Sequence, residues 1–206
     1  MSAGTHLNQR NNEKLNRVTR IVLLVCALGM LPTLFFPIWR IDLFAPQYPE
    51  GLYLQIWKDR LTGDVDVING LNHYIGMQHI KEEMFPEFGY MYIILYAMVG
   101  LGILAFIINR RWMMLTWAIA IVIIGSLGLY DFYQWCYDYG HNLDPNAAIK
   151  IPGMTYQPPL FGHKRLLNFD AWSQPDIGGV SLMISTAILF VMVGLEYFYF
   201  PKKKKA

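Results

Sequence analysis

Asn69-Gly70-Leu71-Asn72-His73-Tyr74-Ile75-Gly76-Met77-Gln78-His79 gathers side chains of the kind that bind metals or polar ligands. His73, Met77 and His79 lie within seven residues, close to the amides of Asn69 and Asn72. Histidine with a thioether is a soft to borderline ligand set that favours Cu(I). Histidine with a carboxylate suits zinc or Cu(II) instead. On an unbroken helix, His73 and Met77 share one face, because i and i+4 neighbours align. His79 then points well away from Met77, so a compact site needs a ligand from elsewhere or a break at Gly76. His141 and His163 are the residues expected to complete it. The candidate metal set is therefore His73, Met77, His79, His141 and His163. None of these spacings is diagnostic: the chain has no CxxC and no HExxH. The ordinary alternative is surface hydrogen bonding for the histidines and packing for Met77.

A second polar set follows a long apolar run. Asp131, Gln134, Asp138 and His141 recur at helical spacing and would share one face. That face begins at membrane depth, where a carboxylate is costly unless paired or hydrated. Asp131 and Asp138 thus join Asn69 and Asn72 as further polar site candidates.

The elements that must hold these residues are dictated by hydropathy. The chain has 206 residues, of which 54% are apolar and only 16% charged. Soluble domains carry about 25% charged residues. Four apolar segments approach the roughly 20 helical residues that a bilayer core requires. The predicted organisation is a basic tail over 1–20, spans over 21–39 and 90–108, and a third span over 112–135 with an interfacial extension. The fourth span is 180–200, followed by a lysine tail over 201–206. A turn over 109–111 joins the second and third spans, and long loops cover 40–89 and 136–179. The fold class expected is an all-α integral membrane protein: a four-helix bundle with a small extracytoplasmic cap. Glu196 is the one acid in the fourth span, near its end, where a long side chain can snorkel to water.

Charge distribution gives the orientation. Arg10, Lys14, Arg17 and Arg20 precede the first span, Arg110 and Arg111 form the tight turn, and Lys202 to Lys205 follow the fourth. The positive-inside rule places both termini in the cytoplasm and both long loops outside. The lysine run reads as a topological anchor among anionic headgroups, and no nucleic-acid partner is implied. The first apolar segment lacks an Ala-x-Ala-like site and reads as a retained anchor rather than a signal peptide. Cys26 and Cys136 fall in opposite halves of the bilayer, so no disulfide is expected.

The first loop should be structured. Leu52–Trp57 and Val65–Ile68 have strand propensity and could form a short hairpin, with a helix from Leu71 to Met84 after it. The prolines of the second loop argue against long helices or central strands. Its apolar residues argue against disorder, so packing on the first loop is expected.

Other chemistries find less support. No span contains a histidine, so a buried b-type haem is not expected. Polar groups that could line a transport path are almost absent. Ser173, Asp170 and His163 lack a nucleophile elbow.

Three strings carry a resemblance: Trp39-Arg40-Ile41-Asp42-Leu43-Phe44-Ala45-Pro46-Gln47-Tyr48-Pro49-Glu50-Gly51-Leu52, Ile68-Asn69-Gly70-Leu71-Asn72-His73-Tyr74-Ile75-Gly76-Met77 and Pro158-Pro159-Leu160-Phe161-Gly162. With them, nearly the whole chain resembles a family of small four-span membrane proteins encoded beside the maturation genes of atypical (clade II) nitrous oxide reductase. The resemblance implies a denitrification context in the bacterial cytoplasmic (inner) membrane, with periplasmic loops and a lipid bilayer as surroundings. It also implies a system that loads copper into a periplasmic enzyme. It carries no catalytic residues. The function expected is an accessory protein for a periplasmic respiratory metalloenzyme, with that enzyme or its maturation factors as partners and copper as the ion handled. The alternative is a non-metal structural or docking subunit of a membrane electron-transfer complex.

Overall fold

The computed structural model describes residues 12–151 and 153–200, which fall into two compact units. One unit comprises Met1–Pro32, Ile93–Gly125 and Ser181–Ala206, the other Thr33–Tyr92 and Ser126–Val180. Arg10 and the lysine run after Pro201 lie outside the described residues.

Among the described residues, four helices are long and apolar enough to cross a membrane. The first, α1 (Arg17–Gly29), is capped by the Asn16 side chain and continues into a 3-10 turn over Leu31–Leu34. The others are α3 (Met91–Ile108), α4 (Arg111–His141) and α5 (Ile177–Gly194), the last ending in a π turn over Leu195–Tyr199. Ile93, Leu104, Ile107, Ile123, Ile184 and Val191 are exposed. Helices apolar on the outer face as well as the inner are suited to a lipid surround.

Small residues set the packing of the helical unit. A Cβ on Gly102 would sit 2.5 Å from the Trp117 ring and 2.7 Å from the Ala27 methyl. Trp117 is fully buried there and donates its indole N–H to the Met98 carbonyl at 2.9 Å. Ser181 donates to the Gly29 carbonyl, so α1 and α5 approach closely. Close backbone approach through small residues is how helices associate in lipid, where hydrophobic burial supplies no drive.

The sheet unit overturns the expected fold class. The chain is not all-α with a small cap: it is a mixed α/β protein with a five-stranded antiparallel sheet. The strands are β1 (Trp39–Ala45), β2 (Tyr48–Ile56), β3 (Leu61–Gly63), β4 (Gly162–Leu166) and β5 (Phe169–Pro175), in the order β3-β2-β1-β5-β4. Both long loops thus contribute to one sheet. Trp39 was expected inside the first span, but it begins the central strand, with Ile56 on one side and Pro175 on the other. Alternation explains the strand: Ile41 and Ala45 are buried, while Arg40, Asp42 and Phe44 are more open. The second loop's prolines argued against central strands, yet β5 lies next to β1 in the interior of the sheet. The physical reason is position: the stretch from Gly162 to Gln174 contains no proline.

Val65–Ile68 also departs from expectation. It opens helix α2 (Val65–Ile75) rather than a strand, and the hairpin partner of β2 is the shorter β3. Ile68, Leu71, Asn72 and Ile75 recur at helical spacing and line one interior surface. Packing of that face overrides the β preference of Val65, Val67 and Ile68.

Candidate functional site

Helix α2 ends at Gly76, not at Met84, and this termination builds the site. Gly76 adopts the left-handed conformation at φ 79°, and its N–H bonds back to the His73 carbonyl at 3.4 Å. Glycine takes this conformation without steric cost. The chain then turns back along the helix. Asn69 holds the return in place: its amide nitrogen donates to the Ile80 carbonyl at 2.9 Å, and its oxygen accepts from the Ile80 N–H at 2.7 Å.

The break brings His79 to His73. Their ring centres lie 6.1 Å apart, with planes inclined at 65°. An ion about 2.0–2.1 Å from each ligating nitrogen lies roughly 3.2 Å from each ring centre, so a shared ion can hold two imidazoles with centres up to about 6.4 Å apart. The His73–His79 separation is within that reach. Both histidines are exposed and border an open groove of about 560 Å³ with Met77, Gln78, Asn142 and Asp144. Met77 is 7% exposed, so the thioether is packed among the core residues of the sheet unit while its residue still borders the groove. The opposite wall comes from the second loop, which is bonded to this turn: the Asp144 N–H donates to the Gly76 carbonyl at 2.8 Å.

The other candidate ligands are engaged elsewhere. His141 closes α4, stacks on Tyr137 at 3.9 Å and has its Nδ1 2.8 Å from the Tyr137 carbonyl. His163 lies on the open face of the sheet, with Nε2 2.8 Å from Asp170 Oδ1 and its ring 4.6 Å from that of Trp172. Among the described residues, no group of three or more His, Cys, Asp and Glu side chains is gathered for a metal ion. The geometry therefore offers a two-histidine pair on a groove that the Met77 residue also borders.

The polar candidates divide by burial. Asn69 and Asn72 are each 8% exposed and serve the fold: Asn69 clamps Ile80, and Asn72 donates to the Tyr139 hydroxyl. Asp131 and Asp138 are exposed. The charge on Asp131 reaches Glu87, whose carboxyl is raised by its own partial burial, against a backbone hydrogen bond that lowers it, with a smaller upward push from Asp131. Ser173 is fully buried and bridges Trp39 Nε1 at 2.8 Å to the Leu160 carbonyl at 3.1 Å, so its hydroxyl is committed to structure.

The helical unit holds a polar site that spacing did not reveal. Glu196 does not snorkel: it is 1% exposed. Its carboxylate accepts from Arg111 Nε at 3.0 Å and from the Thr19 hydroxyl at 2.6 Å, and Arg111 also pairs with Glu13. The available signal was the acid itself, since a charge in an apolar span requires a partner.

Fold and site together define a membrane protein with a mixed α/β architecture and a paired-histidine groove in its sheet unit. No family model, curated protein or solved structure matches the chain.

Proposed function

We propose that this chain is an accessory protein of the bacterial cytoplasmic membrane that handles copper for a periplasmic respiratory metalloenzyme, in particular during maturation of nitrous oxide reductase. The observation that carries this reading is the His73–His79 pair at 6.1 Å beside the residue of Met77. Imidazoles suit copper, and a thioether supplied by the Met77 residue at the border of the groove would favour Cu(I) over harder ions. The groove is open, which suits an ion that must be passed on. The resemblance of the three strings supplies the system, and the basic residues at the span ends support cytoplasmic termini with the groove outside.

The test is copper analysis of the purified protein under reducing conditions, wild type against a His73→Ala/His79→Ala variant. The expected outcome is Cu(I) retained by wild type and lost from the variant. Wild-type protein with no copper above background would sink the assignment.

A docking subunit without metal is the second reading, and one observation favours it. The open face of the sheet presents Tyr53, Trp172 and Phe44, all exposed, with Arg40 stacked over Tyr53 at 4.8 Å. Aromatic residues and arginine are enriched at protein interfaces. Stable co-purification of a reductase with metal-free protein would favour this reading over copper handling.

A further inference from the structure

The sheet unit encloses a second space, separate from the histidine groove in chemistry. It is a cavity of about 60 Å³ whose walls are mainly aliphatic, including Ile41 and Leu54 from the sheet and Ile68 and Ile75 from α2. A single water needs roughly 10–15 Å³ on this measure, so the space takes a molecule of a few heavy atoms. Trp135 and Tyr156 also line it. Their indole N–H and phenol OH are buried, and neither has a hydrogen-bond partner among the described residues. Tyr156 is only 2% exposed, and stacking on Tyr139 at 4.8 Å fixes the Trp135 ring.

These facts constrain an occupant from two directions. A cluster of waters filling the space would be under-bonded, because each buried water needs two to four polar partners, Asn72 and Tyr139 on the wall are bonded to each other, and beyond the Trp135 and Tyr156 donors the lining is apolar. A pure hydrocarbon would leave both donors unsatisfied, which native interiors rarely tolerate. Among the described residues no charged side chain lines the cavity, so an ion is disfavoured. We propose that this cavity is a binding site for a small, uncharged, largely apolar molecule carrying a hydrogen-bond acceptor, received by Trp135 Nε1–H and the Tyr156 hydroxyl. The site stands independently of copper handling, although the Met77 residue borders both spaces.

The test uses the full chain in lipid nanodiscs, with empty nanodiscs as the blank for partitioning. Cyclopentanone is the acceptor-bearing probe and cyclopentane its apolar counterpart, both followed by saturation-transfer NMR. Cyclopentanone should bind wild type saturably and bind Tyr156→Phe about two- to tenfold more weakly, the loss of one hydrogen bond. Cyclopentane should not distinguish the two proteins. Ala171 is fully buried on the cavity wall, so Ala171→Leu should abolish binding of both probes. If that variant does not fold, Trp135→Phe repeats the donor test. Without probe, Tyr156→Phe should melt no lower than wild type, since it removes an unpaired hydroxyl. Equal cyclopentanone affinity in wild type and Tyr156→Phe, no saturable binding to folded wild type, or a lowered melting point for Tyr156→Phe alone would each overturn the proposal.

Discussion

The two units differ in what their buried charges and their ligand-capable side chains meet. In the helical unit the strongest charges are buried and satisfied: Arg111 is 4% exposed and Glu196 1%, tied together with Thr19 and Glu13. In the sheet unit the imidazoles of His73 and His79 are exposed, and buried donors on Trp135 and Tyr156 have no hydrogen-bond partner among the described residues. Polar groups closed on one another hold a structure and have little left for a ligand. Polar groups held in place yet unsatisfied are where a ligand gains most. The difference accords with the proposed sites in the sheet unit and makes the charge cluster of the helical unit a structural lock.

The contrast breaks first if that lock is dispensable. Arg111→Ala leaves the Glu196 carboxylate buried without its cation, and the expected destabilisation is about 3–5 kcal/mol. Chemical denaturation in detergent measures it, and a loss below about 1 kcal/mol would show the cluster to be solvated and the comparison wrong. In the sheet unit, Asn69→Ala orphans the N–H and C=O of Ile80. We expect about 2–3 kcal/mol of lost stability. Because the same clamp returns His79 to His73, Cu(I) affinity should fall even in the folded fraction. Unchanged copper affinity would separate the clamp from the site.

A smaller effect is expected at the turn itself. Gly76→Ala places a Cβ 2.8 Å from the Ala147 methyl in a left-handed backbone, at a cost of about 1–2 kcal/mol. A variant that melts with wild type and binds copper equally would mean that the turn relaxes freely. The smallest effect concerns Glu87, whose carboxyl is raised chiefly by burial, more than its backbone hydrogen bond lowers it, with Asp131 adding a smaller push. A raised carboxyl means that the folded state holds its proton more tightly than the unfolded chain. Stability should therefore decline as pH rises through the folded value and level off above it. Glu87→Gln should flatten that part of the melting curve against pH, and an identical pH dependence in both proteins would refute it.

The helices were legible because their signal is a long apolar run, which tertiary context rarely disguises. Met91–Ile108 lies within one residue of its expected bounds. The sheet was not legible because its strands are short, and its central pairing joins β1 to a segment more than a hundred residues later. Trp39 illustrates the ambiguity: an apolar residue at the end of an apolar run reads as membrane until a strand partner is known. His73 and Met77 were visible as chemistry. That His79 joins His73 depended on one dihedral angle at Gly76 and two hydrogen bonds from Asn69. The Arg111–Glu196 pair needed the fold, since 85 residues separate its members.

The place of β1 in the sheet also orders events during synthesis. Its partner β2 follows at once through a tight turn, but β5 is made only after α3 and α4. Until then one edge of β1 stands open, with its backbone donors and acceptors available to any passing strand. Closing such a long loop is slow on folding timescales. The growing chain thus has an interval in which the half-built sheet is vulnerable to mispairing. A chain ending after α4 should be degraded or aggregate more than one ending after β5. Equal survival of the two truncated chains in pulse-chase would show that the first three strands are protected by other means.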